Sequence, residues 1–218
     1  MKLKVPLIRQ KEGSNTCGIV GIQMVMQYYG DNISFEELKS ELEVDSVGTY
    51  APQLGSSLIR RGYGIEIVTL HPSLFTLRDK EKNLESLVYH FTKLKENSLD
   101  DQNKKVLNYF IDFIKIGGKL KIKIPDEEDI KKEIYNKHPL GALLTSNFLF
   151  GKEPRFNFHF NVITGIDNKY VYVNDSRWDE LGGEHKYKIK DFLFGMYASA
   201  YGDLDNASIM KIKKFIKR

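Results

Sequence analysis

Four residues carry the chemistry that this chain is equipped to perform: Gln10, Cys17, His159 and Asp175. Cys17 is the only cysteine among 218 residues. It stands in QKEGSNTCGIVGIQMVMQYYG, residues 10–30, where a polar, glycine-containing loop turns into an apolar run of helical character. A cysteine in the first turn of a helix meets unpaired backbone amides and the positive end of the macrodipole. That field favours thiolate over thiol and lowers the pKa, the usual origin of a nucleophilic cysteine. Gln10 lies upstream in the same loop, and its side-chain amide can donate to an oxyanion forming beside the sulfur. A lone cysteine is otherwise a small buried hydrophobe, so its partners decide between the two readings.

Those partners come late in the chain. In the strand pattern NFHFNVITG, residues 157–165, His159, Asn161 and Ile163 share one face, while Phe158, Phe160 and Val162 share the other. In KYVYVNDS, residues 169–176, Val171, Val173 and Asp175 share a face. His159 and Asp175 fall on the same side only if the connection is of odd length or carries a bulge, because the side-chain period is two. An imidazole beside a carboxylate is an oriented base: the carboxylate fixes its tautomer and supports the imidazolium.

The positioning elements follow from the pattern. The helix after Cys17 spans about residues 16–29, with Asn15 or Thr16 as its cap and Gly30 as its left-handed stop. It is apolar almost all round, as a buried central helix is. Residues 1–9 form an edge strand or extended lead-in. A helix begins at Ser34, with Glu37 at capping-box spacing, and runs to about residue 42. Thr49 caps a further helix ending near Gly62, and residues 63–70 alternate as a strand. Residues 79–116 carry helical periodicity, broken at 97–101, and form an inserted pair of helices within about 72–118. Strands are expected at 119–124, 141–145, 156–165, 170–175 and 186–189, with helices at 126–136 and 191–201. The end of the chain, 209–218, fits either a strand or a helix.

Hydrophobic residues make up 41% and charged residues 28%, ordinary values for a soluble globular protein. A formal charge of +4, with the basic residues spread along the chain, gives no case for nucleic acid. One cysteine excludes an intrachain disulfide and thiolate metal sites, which suits a reducing, cytoplasmic location. There is no secretory signal, no membrane-spanning run and no histidine pair with metal-ligand spacing, so neither membrane nor cofactor is expected. His71, His90, His138 and His185 have no motif around them. Trp178, in SRWDELGG, suits either a cleft wall or packing. The absence of GxxxxGK[ST] excludes a fused ATPase in these residues.

Taken in order, Gln10, Cys17-Gly18 opening a helix that ends in QYYG, and then HFNVITGIDNKYVYVND resemble the papain-like cysteine peptidases. Within them the resemblance is to the bacteriocin-processing, double-glycine-leader peptidases in stand-alone form. It covers residues 5–70 and about 126–201 and not the helical insert. The resemblance implies an α+β papain-like fold, with a helical half bearing Cys17 and an antiparallel β half bearing His159 and Asp175. It also implies a cysteine peptidase acting on a peptide or protein. Cys17 would be nucleophile, His159 base and acid, Asp175 the orienting carboxylate, and Gln10 the oxyanion donor with the Cys17 amide. Ser176 follows Asp175 where the family more often has proline, and Asn15-Thr16 replaces its usual acidic residue before the cysteine. Acyl transfer at the same site, and a non-catalytic peptide-binding module with the insert over the cleft, remain open alternatives. The oligomeric state is not legible.

Overall fold

A computed structural model describes residues 1–153 and 157–215. Its spine is helix α1 (Cys17–Tyr28), of which every residue from Gly18 to Met26 is buried. The helix stops in a Schellman motif: the amide of Asp31 donates to Met26 O at 2.9 Å, that of Gly30 to Gln27 O at 3.0 Å, and Gly30 takes φ +84°. Helix α2 (Phe35–Glu41) is capped by Ser34, whose side chain accepts from the Glu37 amide.

Helix α3 (Ala51–Arg60) departs from the expected cap. Tyr50 holds the N-cap position, not Thr49. Asp205, 154 residues away in sequence, accepts from the Ala51 amide at 2.6 Å, and Gln53 accepts from the Tyr50 amide at 3.2 Å. A tertiary carboxylate has taken the place that local reasoning gave to a threonine.

Strand β1 (Tyr63–Thr69) is followed by a 3-10 turn (Leu77–Glu81) and the antiparallel helices α4 (Leu84–Asn97) and α5 (Asp101–Lys115). Their apolar stripes meet: Phe91 and Phe110 stack with ring centroids 5.0 Å apart, both fully buried. Then come β2 (Lys119–Ile122), α6 (Glu127–Tyr135), β3 (Leu140–Thr145), the short α7 (Ser146–Leu149), β4 (Phe158–Ile166), β5 (Tyr170–Asp175), β6 (Gly183–Lys188), α8 (Ile189–Ala198) and β7 (Ser208–Lys214). Phe156, expected to open β4, and the last three residues of the basic end lie outside the described residues. The strand alternative for that end holds as far as Lys214.

The seven strands form one sheet in the order β2-β1-β7-β3-β4-β5-β6, antiparallel except for β1 with β2. Helix α1 lies on β4, its Gly21 so close that a Cβ there would meet the Phe160 ring at 2.5 Å. The extended N-terminus runs beside the far end of β4, with Leu3 N donating to Thr164 O and Ile166 N to Met1 O. A Cβ at Gly165 would sit 2.7 Å from Met1 O, so this approach requires glycine. Among the described residues no helix is long and apolar enough to cross a membrane.

Candidate active site

The parity problem at His159 and Asp175 is solved by a bulge. Asp167 N donates to Tyr170 O, closing a two-residue turn of even length, with Asp167 Oδ1 accepting from Lys169 N and Tyr170 N at 2.7 Å each. The register then shifts between Ile163 and Gly165, so that Ile163 faces Val173 and Asn161 faces Asp175. His159 and Asp175 therefore share a face, and His159 Nδ1 lies 2.9 Å from Asp175 Oδ1, away from the ideal hydrogen-bond direction. The other ring nitrogen, Nε2, lies 3.2 Å from Gln10 Oε1 and donates to it only in the tautomer that carries the proton on Nε2. Two acceptors thus bracket the ring, and a neutral imidazole has one N–H to offer them. Both side chains are buried, Asp175 almost completely.

Gln10 is fixed from three directions. Its backbone amide donates to Ser176 O at 2.7 Å, its Nε2 donates to Ser14 O at 2.7 Å, and Ser176 Oγ donates to Oε1 at 3.4 Å. Ser176 therefore adds a hydroxyl contact to this glutamine. Gln10 Nε2 retains a second N–H beyond the one given to Ser14.

Cys17 opens α1 as expected, but its cap does not work as expected. Thr16 occupies the N-cap position with no side-chain cap hydrogen bond; its hydroxyl instead pairs with Ser14 Oγ at 2.9 Å. The first-turn amides are left to the sulfur. The expectation of a lowered thiol pKa is corrected: burial pushes the Cys17 thiol up, and the nearby Asp175 charge adds to the rise. The amides of Phe160, Gly18 and Cys17 oppose this and do not outweigh it. Desolvation wins although Cys17 is only partly buried and borders a cavity, because β4 and its own helix close around the rest of the sulfur.

Gln10, Cys17 and His159 line one cavity of about 200 Å³, together with Val47, Arg177 and Trp178. No residue of 72–118 lines it; helix α5 packs against α3 and β2 instead. The expectation of an insert lying over the cleft is therefore not met. The other four histidines are accounted for elsewhere: His71 contacts Ala200 O, His90 Leu74 O, His138 Glu133 and His185 Leu181 O. Sequence reasoning overlooked Arg9, Ser14 and Asp205, whose roles depend on contacts distant in sequence or on backbone carbonyls.

Gly18 explains why glycine follows the cysteine. A Cβ at this position would lie 2.3 Å from Thr49 Oγ1 and 2.7 Å from Leu54 Cδ1. Gly18→Ala is expected to lower the unfolding free energy by about 1–3 kcal/mol, measured by denaturant titration.

Solved structures with this fold include a chain described as a C39-like peptidase from Bacillus anthracis (14% identity, TM-score 0.52, all of both chains covered). Another is the peptidase domain of Streptococcus ComA, a bi-functional ABC transporter of a quorum-sensing pathway (12% identity, TM-score 0.50, 97% of this chain and 99% of that one). Comparison with curated protein sequences finds no match. Residues 2–209 match the Peptidase_C39 like family, and with nearly its whole length inside that match the chain belongs to this family.

Proposed function

We propose that the protein is a cysteine peptidase that hydrolyses peptide bonds at Cys17, with His159, Asp175 and Gln10 as its partners. The observation that carries this reading is the shared cavity. One space of about 200 Å³ is lined by the sulfur-bearing residue, the imidazole and the glutamine, with Asp175 Oδ1 2.9 Å behind the ring.

The chemistry follows from the thiol's raised pKa. Cys17 rests as the neutral thiol and loses its proton to His159 as its sulfur attacks the peptide carbonyl carbon. The imidazolium that forms can donate to Asp175 and to Gln10 at once. The carbonyl oxygen becomes an oxyanion, and the Cys17 amide and the second N–H of Gln10 Nε2 are the donors available to it. Collapse breaks the C–N bond, and His159 returns the proton to the leaving amine. Water, deprotonated by His159, then attacks the thioester; the C–S bond breaks, the imidazolium returns its proton to the Cys17 sulfur, and the new carboxylate leaves.

The substrate is a peptide or an extended segment of a protein, and residues 72–118 are a helical insertion in one peptidase unit. The single cysteine suits a cytoplasmic setting, where it stays reduced. Incubation with a library of unmodified peptides, read by mass spectrometry, tests the activity. The expected result is cleavage with a free carboxylate at the new C-terminus, unchanged by added glycinamide. Amide products formed only with glycinamide would indicate acyl transfer instead, and no cleavage of any peptide would contradict a peptidase.

A further inference from the structure

Strand β5 ends at Asp175 and β6 starts at Gly183, so residues 176–182 span the turn between them. This loop carries Trp178, the only tryptophan, which is 46% exposed and forms a wall of the Cys17 cavity. With nearly half its surface exposed, the indole depends strongly on its backbone for its position.

The backbone is held by Arg9 and Gln10. Arg9 Nη1 donates to Arg177 O at 3.0 Å and to Asp179 O at 2.8 Å, and Arg9 Nη2 donates to Gly182 O at 3.2 Å. Gln10 N adds the contact to Ser176 O. The loop closes on this fork because residue 182 has no side chain: a Cβ there would lie 2.0 Å from Arg177 O and 2.9 Å from Arg9 Nη1. Inside the loop, Arg177 pairs with Asp179 through Nε at 3.0 Å and Nη2 at 2.5 Å. The Arg177 amide donates to Asp175 Oδ1 at 2.9 Å, the same oxygen that faces His159.

We propose that Arg9 is a positioning residue: its guanidinium gathers three carbonyls of the 177–182 loop and so fixes Trp178 as a rigid wall of the substrate cleft. The assignment rests on the peptidase reading of that cleft. A planar fork is required because three carbonyl oxygens in different directions are satisfied by one guanidinium, whereas an ammonium is a compact point charge on a flexible stem. Cutting the fork frees the loop, widens the cleft and weakens substrate binding more than it slows the chemistry.

Trp178 is its own reporter. In Arg9→Met and in Gly182→Ala, acrylamide quenching of tryptophan fluorescence is expected to rise about twofold or more, with lower anisotropy, while far-ultraviolet circular dichroism stays native. Arg9→Lys keeps the charge without the fork and is expected to resemble Arg9→Met. With a peptide the wild type cleaves, KM in Arg9→Met should rise about fivefold or more with kcat within about twofold. Unchanged quenching in both Arg9→Met and Gly182→Ala, or full recovery by Arg9→Lys, would overturn the proposal. If Arg9→Met does not fold, Gly182→Ala carries the same test from the opposite side of the contact. Fluorescence needs no turnover, so an inactive protein with a loosened Trp178 would refute the peptidase reading and leave the clamp intact.

Discussion

Cys17→Ala is expected to fold as the wild type does and to lose peptide cleavage by about 10⁴-fold or more. The sulfur is the only thiol in the chain, so no other cysteine can take over. Its removal leaves a small void at the mouth of α1, beside the Phe160 amide, worth about 1 kcal/mol of stability. The polar frame survives without it: Gln10 remains bonded to Ser14 and Ser176, and His159 remains between Gln10 and Asp175. Loss of turnover with native circular dichroism and an almost unchanged melting temperature is the signature of a missing nucleophile. Turnover near the wild-type rate would place the reaction elsewhere on the molecule.

Asp205→Asn is expected to stabilise the protein strongly above neutral pH, less at pH 5 and hardly at all below about pH 4. Asp205 is buried; Oδ2 accepts from Ala51 N, while Oδ1 has no hydrogen-bond partner among the described residues. Burial, reinforced by the charge of Asp203, raises its pKa to about 7, although the Ala51 amide pulls it down. The folded state therefore holds a proton that the unfolded chain has already released. Stability is highest below the ordinary carboxylate pKa and falls as pH rises between about 4 and 7, because there the unfolded state binds fewer protons. Three pKa units correspond to about 4 kcal/mol, and relaxation of the site brings the expected cost to on the order of 2–4 kcal/mol. Asparagine keeps an oxygen for Ala51 N and removes the charge. Melting curves at pH 5 and pH 8 should show the wild type losing on the order of 5–10 °C relative to the variant at the higher pH. A constant difference between the two proteins across that range would show that Asp205 is ionised throughout.

The site was legible in the sequence as far as its residues are bound to regular periodicity. The apolar run from Ile19 to Met26 fixed a buried helix, and with it Cys17 at that helix's mouth. Alternation in 157–165 and 169–176 fixed two strands, and the wish to bring His159 and Asp175 together demanded an odd connection or a bulge. Which of the two occurs depends on Asp167, whose side chain closes a two-residue turn and forces the bulge. Contacts made across the fold left no such mark. Nothing near Ala51 announces that Asp205 will cap α3, and Arg9 reads as one more surface cation until three carbonyls are seen around it. The sign of the Cys17 shift was missed for the same reason: the helix-end field is local and visible, while the walls that desolvate the sulfur come from elsewhere in the chain.

On the proposed mechanism Cys17 and His159 act as one unit, the thiol giving its proton to the imidazole. The rate of Cys17 alkylation by iodoacetamide, followed by mass spectrometry of the intact protein across the neutral range, tests it directly because no second thiol competes. Burial holds the thiol up, so on the proposed mechanism reactivity near neutrality comes from proton transfer to His159. Wild-type Cys17 is expected to react at least about tenfold faster at pH 7 than Cys17 in His159→Ala, with the two rates converging at high pH. Equal rates at pH 7 would contradict it.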